Sequence, residues 1–151
     1  ISCDDYEDDD DSGNNANLNS VEMSADISGA MTMDFESEIS TYSLVETVAS
    51  SVHNLTGNDI EDGTTYSITV NVSEFTGIGE TVSVIFASAD ASASSVIYTV
   101  TDVESEITKD DDATIEGTFS FTAENPDTGD TYTVSNGTFV GDKSKATSTE
   151  I

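Results

Sequence analysis

The stretch ATIEGTFSFTAENPDTGDTYTVSNGTFV, residues 113–140, decides the fold. Ile115, Phe119, Phe121 and Ala123 alternate with Glu116, Thr118, Ser120 and Thr122, the period-two pattern of a strand with one buried face. The cluster Asn125-Pro126-Asp127-Thr128-Gly129-Asp130 is turn chemistry and stops that strand. A second strand follows, with Tyr132 and Val134 on one parity and Phe139 on the other. The parity changes at Asn136-Gly137, a pair that tolerates left-handed backbone and marks a bulge. The stretch therefore predicts a long β-hairpin with Phe119 and Phe121 facing the core. It contains no catalytic constellation.

Upstream, three more stretches alternate cleanly: Tyr66, Ile68, Val70 and Val72; Val82, Val84 and Phe86; and Val96, Tyr98 and Val100. Turn material at 58–65 and 76–79 and a Ser/Ala/Asp run at 87–95 separate them. Nearer the N-terminus, Val21, Met23, Ala25 and Ile27 and then Met31, Met33 and Phe35 predict two strands that fold back around Gly29. The segment 44–55 fits two descriptions. Ser43-Leu44-Val45-Glu46 matches a helix capping box, with Leu44, Val48, Val52 and Leu55 at helical spacing and Gly57 as a C-terminal cap. Its Val and Thr content fits a strand equally well. After Phe139 the chain is polar except at its last residue. Seven or so short strands at this spacing predict an all-β fold, an antiparallel β-sandwich or small barrel with at most one short helix.

Charge is the outlier of the composition. Among 151 residues, 31 are acidic, three are lysines and none is arginine, for a formal charge of −28. Arginine is the usual bidentate phosphate ligand, so nucleic acid is excluded as a partner class, and an anionic membrane surface with it. Self-repulsion at this charge calls for screening counterions. The single cysteine, Cys3, permits no intrachain disulfide, and no stretch reaches the roughly 20 apolar residues of a membrane-spanning helix.

Cys3 is followed by Asp4-Asp5-Tyr6-Glu7-Asp8-Asp9-Asp10-Asp11, a like-charge run that buries nothing and reads as an extended tether over residues 1–17, ahead of a single β-domain at 18–151. Ile1-Ser2 before Cys3 resembles the end of a bacterial lipobox, which makes Cys3 a lipidation candidate. The last third of the chain resembles an uncharacterised domain family of Bacteroidetes-type cell-surface lipoproteins. Ile115-Glu116-Gly117-Thr118-Phe119-Ser120-Phe121-Thr122-Ala123, Asn125, Thr128-Gly129 and Val134-Ser135-Asn136-Gly137-Thr138-Phe139 carry the likeness. The resemblance implies a lipid anchor at the outer face of the outer membrane and brings no chemistry with it.

Candidate chemistry is sparse. His53 is the only histidine and has no Gly-x-Ser-x-Gly motif near it, so it reads as structural. One Cys and one His leave no zinc site. Oxygen-rich calcium sites are the one metal chemistry the sequence suggests, at Asp110, Asp111 and Asp112 and in the loop of Asn125, Asp127 and Asp130. The sequons at Asn54, Asn71 and Asn136 read as chance, two of them falling in expected strands. The expectation is a non-catalytic structural or interaction module of the cell surface, with protein partners or self-assembly. Addition of the 21–27 strand to a neighbour's sheet edge would build a filament. The alternative is a calcium-dependent glycan- or ligand-binding surface lipoprotein.

Overall fold

The computed structural model describes residues 20–61, 63–75, 79–90 and 95–150. The tether, including Cys3, and the connections at 76–78 and 91–94 lie outside the described residues.

The hairpin forms as its pattern predicts. Strand β9 is Thr114–Glu124 and β10 is Thr131–Asp142. Their register shifts between Val134 and Gly137, where Asn136 takes a positive φ of 53°. That one-residue bulge returns Phe139 to the face already occupied by Val134, and both are fully buried. A Cβ on Gly137 would lie 2.5 Å from a Phe119 ring carbon, so only glycine lets the bulge sit against that ring. Phe119 and Phe121 are both buried, at 3% and 2% exposure.

Eleven strands are found among the described residues, in two sheets. The remaining nine are β1 (Val21–Gly29), β2 (Met33–Glu36), β3 (Ile39–Glu46), β4 (Ser50–Glu61), β5 (Thr64–Phe75), β6 (Gly79–Ala89), β7 (Ser95–Ile97), β8 (Thr99–Asp110) and β11 (Thr147–Glu150). The first sheet has the order β2-β1-β10-β9-β8 and the second β11-β3-β4-β5-β6-β7. All pairs are antiparallel except β11 with β3. The sheets pack face to face as an all-β sandwich rather than a closed barrel. Phe86 of β6 joins them, with its ring 5.9 Å from Phe121 and 6.5 Å from Tyr132 across the interface and 4.7 Å from Tyr98.

Several expectations are corrected. Residues 44–55 are strand, not helix: β3 and β4 pair through Thr47-Val48-Ala49. Thr47 is the turn residue there, its Oγ1 accepting from the backbone N–H groups of Ala49 and Ser50. Val48, which helical spacing would bury, is fully exposed. Gly57 is no cap; it is buried within β4, where a Cβ would lie 2.9 Å from Ser37. Most of the 58–65 segment expected as turn is strand, because β4 and β5 pair as far as Glu61 and Thr64. Tyr98 marks the crossover between sheets, so the single strand expected at 96–100 is the end of β7 and the start of β8. The polar tail continues β10 to Asp142, makes a 3-10 turn at Lys143–Lys145 and adds β11 to the second sheet. The strand expected at 21–27 pairs inside its own chain, with β2 on one side and β10 on the other.

Candidate functional site

Strand β4 places its inward side chains in the order His53, Leu55, Gly57, Asp59, so each end of the sandwich receives a polar group that the core must satisfy. At one end the Tyr42 hydroxyl lies 2.7 Å from His53 Nδ1, and His53 Nε2 lies 3.1 Å from Glu74 Oε1. Burial, then the charges of Asp110, Glu74 and Glu46, push the Tyr42 phenol far above its usual range. Tyr42 is therefore held as the protonated phenol, in hydrogen-bond contact with Nδ1 while Nε2 meets Glu74. Burial raises the Glu74 carboxyl, and the neighbouring Asp110 carboxylate raises it further. Burial also works to raise Asp110, but hydrogen bonds from Lys143 and Glu74 outweigh it and hold that carboxyl below its usual range. Lys143 donates to Asp110 and to the Asp111 carbonyl. Tyr42, His53, Glu74, Asp110 and Lys143 thus form one connected chain of polar contacts. Among the described residues, the side chains hydrogen-bonded to its histidine are a phenol and a carboxyl, not a serine, threonine or cysteine.

The other end repeats the device. Asp59 accepts from the Glu36 backbone N–H at 2.9 Å, which ties β4 to β2 across the two sheets. Burial raises Asp59, while Glu38 is lowered by the Ile60 backbone N–H and by its hydrogen bond with Asp59.

The acidic residues singled out for calcium fall at opposite ends of β9. Asp110, Asp111 and Asp112 lie in and beside the β8–β9 turn, whereas Asn125, Asp127 and Asp130 lie in the β9–β10 turn. In the first turn Asp111 Oδ1 accepts from Ala113 and Thr114 N–H, and Lys109 sits 3.6 Å from the other Asp111 oxygen. In the second, Asn125 Oδ1 accepts from Asp127 and Thr128 N–H. Among the described residues, no group of three or more His, Cys, Asp or Glu side chains is arranged to hold a metal ion.

The outer faces of the two sheets differ sharply in charge. The first sheet turns Glu22, Asp26, Asp34, Glu36, Glu104 and Glu106 to solvent. A shallow concavity of about 540 Å³ on it is lined by Glu104, Glu106, Thr118, Ser120, Asn136 and Thr138 among others. Among the described side chains of β3 to β6, the acids Glu46, Asp59, Glu61 and Glu74 all keep to the inward parity. The described outward positions of these strands carry no charge. Across β3–β6 they read Thr41, Thr56, Thr69, Ile85 in one row and Ser43, Asn54, Asn71, Ser83 in the next. The β4–β5 seam is laced together. Thr56 and Thr69 hydroxyls meet at 2.9 Å, Ser67 donates to Asn58 at 2.6 Å, and Asn71 donates to Asn54. Ile39, Ile60, Ile85 and Ile97 stand exposed on either side of that seam, at 45%, 48%, 51% and 71%.

Alternation along β5 and β6 was readable in the sequence, at Tyr66–Val72 and Val82–Phe86. What sequence reasoning missed is that the register brings the uncharged parities of four strands onto one continuous face. No protein-family model, no curated protein and no solved structure matches this chain.

Proposed function

We propose that this chain is a non-catalytic module of the cell surface, held by a lipid on Cys3 through the acidic tether, which presents the uncharged outer face of its second sheet to a protein partner. One observation carries the reading: in a chain with 31 acids, none of the described outward positions of β3 to β6 is acidic. Charge scattered without constraint would fall on both outer faces. Depletion of charge at the centre of a surface patch is the compositional mark of an interface. The sheet edges are poorer candidates. β1 is already paired on both sides, β2 is only four residues long, and β8 carries Glu104, Glu106 and Lys109, the usual defences of an edge strand. The polar chain at His53 supports the non-catalytic part, since each of its groups is already engaged by a neighbour, and the Glu74–Asp110 contact links the two sheets.

A photo-crosslinking residue at position 69, on the uncharged face, and another at 118, on the acidic face, test the reading on intact cells. Adducts are expected from position 69 and not from 118. Equal labelling, or none from 69, overturns it. Incorporation of a labelled fatty acid that is lost in Cys3→Ser tests the anchor separately.

A further inference from the structure

We infer that the occupant of the uncharged face is a second copy of this chain, docked face to face about a two-fold axis. This rests on the reading of that face as an interaction surface and adds the identity of the partner.

The first argument is self-complementarity. Hydroxyls and carboxamides both donate and accept, so a face built from them can meet its own copy under two-fold rotation. A face of carboxylates cannot. The seam groups are also hydrogen-bonded to one another across β4 and β5 before any partner arrives. Burying them therefore leaves few orphaned polar atoms, which is the usual penalty for covering a polar surface. With the axis lying in the interface along the seam, the isoleucines on the β3/β4 side cover those on the partner's β6/β7 side.

The second argument is area. Strands β3, β4, β5 and β6 contribute 8, 12, 12 and 11 residues. At about 4.8 Å between strands and about 3.4 Å per residue, they form a face of roughly 700 Å². Standard stable interfaces bury about 600–1,000 Å² per partner, and the face falls inside that range.

The third argument is electrostatic, and it selects the orientation. Stacked sheets lie about 10 Å apart, so a face-to-face pair sets its two acidic outer faces about 30 Å from each other. The Debye length is about 8 Å at physiological ionic strength, so that repulsion is largely screened. Contact through the first sheet's outer face would instead oppose carboxylates directly. At a net charge of −28, the second sheet's outer face is the approach that two copies tolerate.

Sedimentation equilibrium on the 151-residue chain, from micromolar to about millimolar concentration in low and in 0.5 M NaCl, tests the inference. The expected mass moves from 15.9 kDa towards twice that value, more readily at high salt. Thr69→Asp should weaken association tenfold or more, and Thr118→Asp should not. Ile85→Lys is the sharper variant: it removes one unit of net negative charge yet should also weaken association, because it charges the face. Melting curves confirm that each variant is folded. A monomer at every concentration and salt overturns the inference, as does a dimer indifferent to both Thr69→Asp and Ile85→Lys. A folded monomer that still crosslinks from position 69 on cells would remove the second copy while leaving the interaction face intact.

Discussion

Replacing Phe86 by alanine tests the account of how the two sheets are joined. Phe86 is 0% exposed, and its ring is neighbour to Tyr66 and Tyr98 and, across the interface, to Phe121 and Tyr132. Truncation removes the transfer free energy of a whole ring and leaves a cavity walled by both sheets, so a cost of about 3–5 kcal/mol is expected. The upper half of that range applies here, because two sheets held in register by their ladders collapse poorly into a void. For a domain of this size each kcal/mol moves Tm by about 2–4 °C, so the expected drop is on the order of 10–15 °C. Urea unfolding followed by intrinsic tyrosine fluorescence gives the free energy directly, with an unchanged m-value confirming that the unfolding transition itself is the same. Phe86→Leu should recover more than half of the loss. Phe75→Ala, at a ring 41% exposed on the outer face, should cost under about 0.5 kcal/mol. A Phe86→Ala cost below about 1 kcal/mol, or one equal to that of Phe75→Ala, would refute the placement of Phe86 as the link between sheets.

Stability should depend on pH through the two carboxyl pairs. Glu74 and Asp59 are raised above their ordinary values of 4.5 and 3.8, so their contribution is fully present below those values and is lost as pH climbs through the folded ones. Asp110 and Asp111 are lowered, so theirs is present above 3.8 and is lost as pH falls through their folded values. An optimum on the acid side of neutrality follows. Glu74→Gln should raise Tm at pH 8 more than at pH 5, and parallel pH profiles for the two proteins would count against a raised Glu74 carboxyl. Stability should also rise between roughly 10 mM and 1 M NaCl, as the Debye length falls from about 30 Å to 3 Å. Calcium chloride at matched ionic strength is expected to act by screening alone, because Asp111 and Asn125 already spend their oxygens on turn N–H groups. Differential scanning calorimetry in the two salts separates these effects.

The hairpin was legible because burial on one face forces period two, and because Asn136-Gly137 is a local chemical solution to a local change of parity. Strands β5 and β6 were legible for the first of those reasons. Strand β8 was not. It is an edge strand, exposed along most of its length, with bulges near Asp102 and after Ile107, and nothing requires its side chains to alternate. The 44–55 segment misled because Ser, Leu, Val and Glu satisfy helix spacing and strand composition together, and only tertiary pairing with β5 decides between them. The polar chain was beyond reach for another reason. Tyr42, His53, Glu74, Asp110 and Lys143 come from five separate segments, and no spacing within one segment reports contact between five. Asp110 was singled out as an oxygen donor, and the cation the fold sets against it is Lys143.

The pairing of β1 with β10 has a consequence in time. Val21 lies opposite Gly141, so the second strand of the first sheet cannot find its main partner until nearly the whole chain exists. Contacts this distant along the sequence make folding slow, and ribosomes add only about 5–20 residues per second. For roughly ten seconds of synthesis, an alternating strand of Val, Met, Ala and Ile waits with an open ladder, in the state in which nascent chains stick to one another. The acidic run at residues 4–11 stands just upstream of that strand in the sequence, and a block of like charge is the kind of flank that disfavours association of such segments.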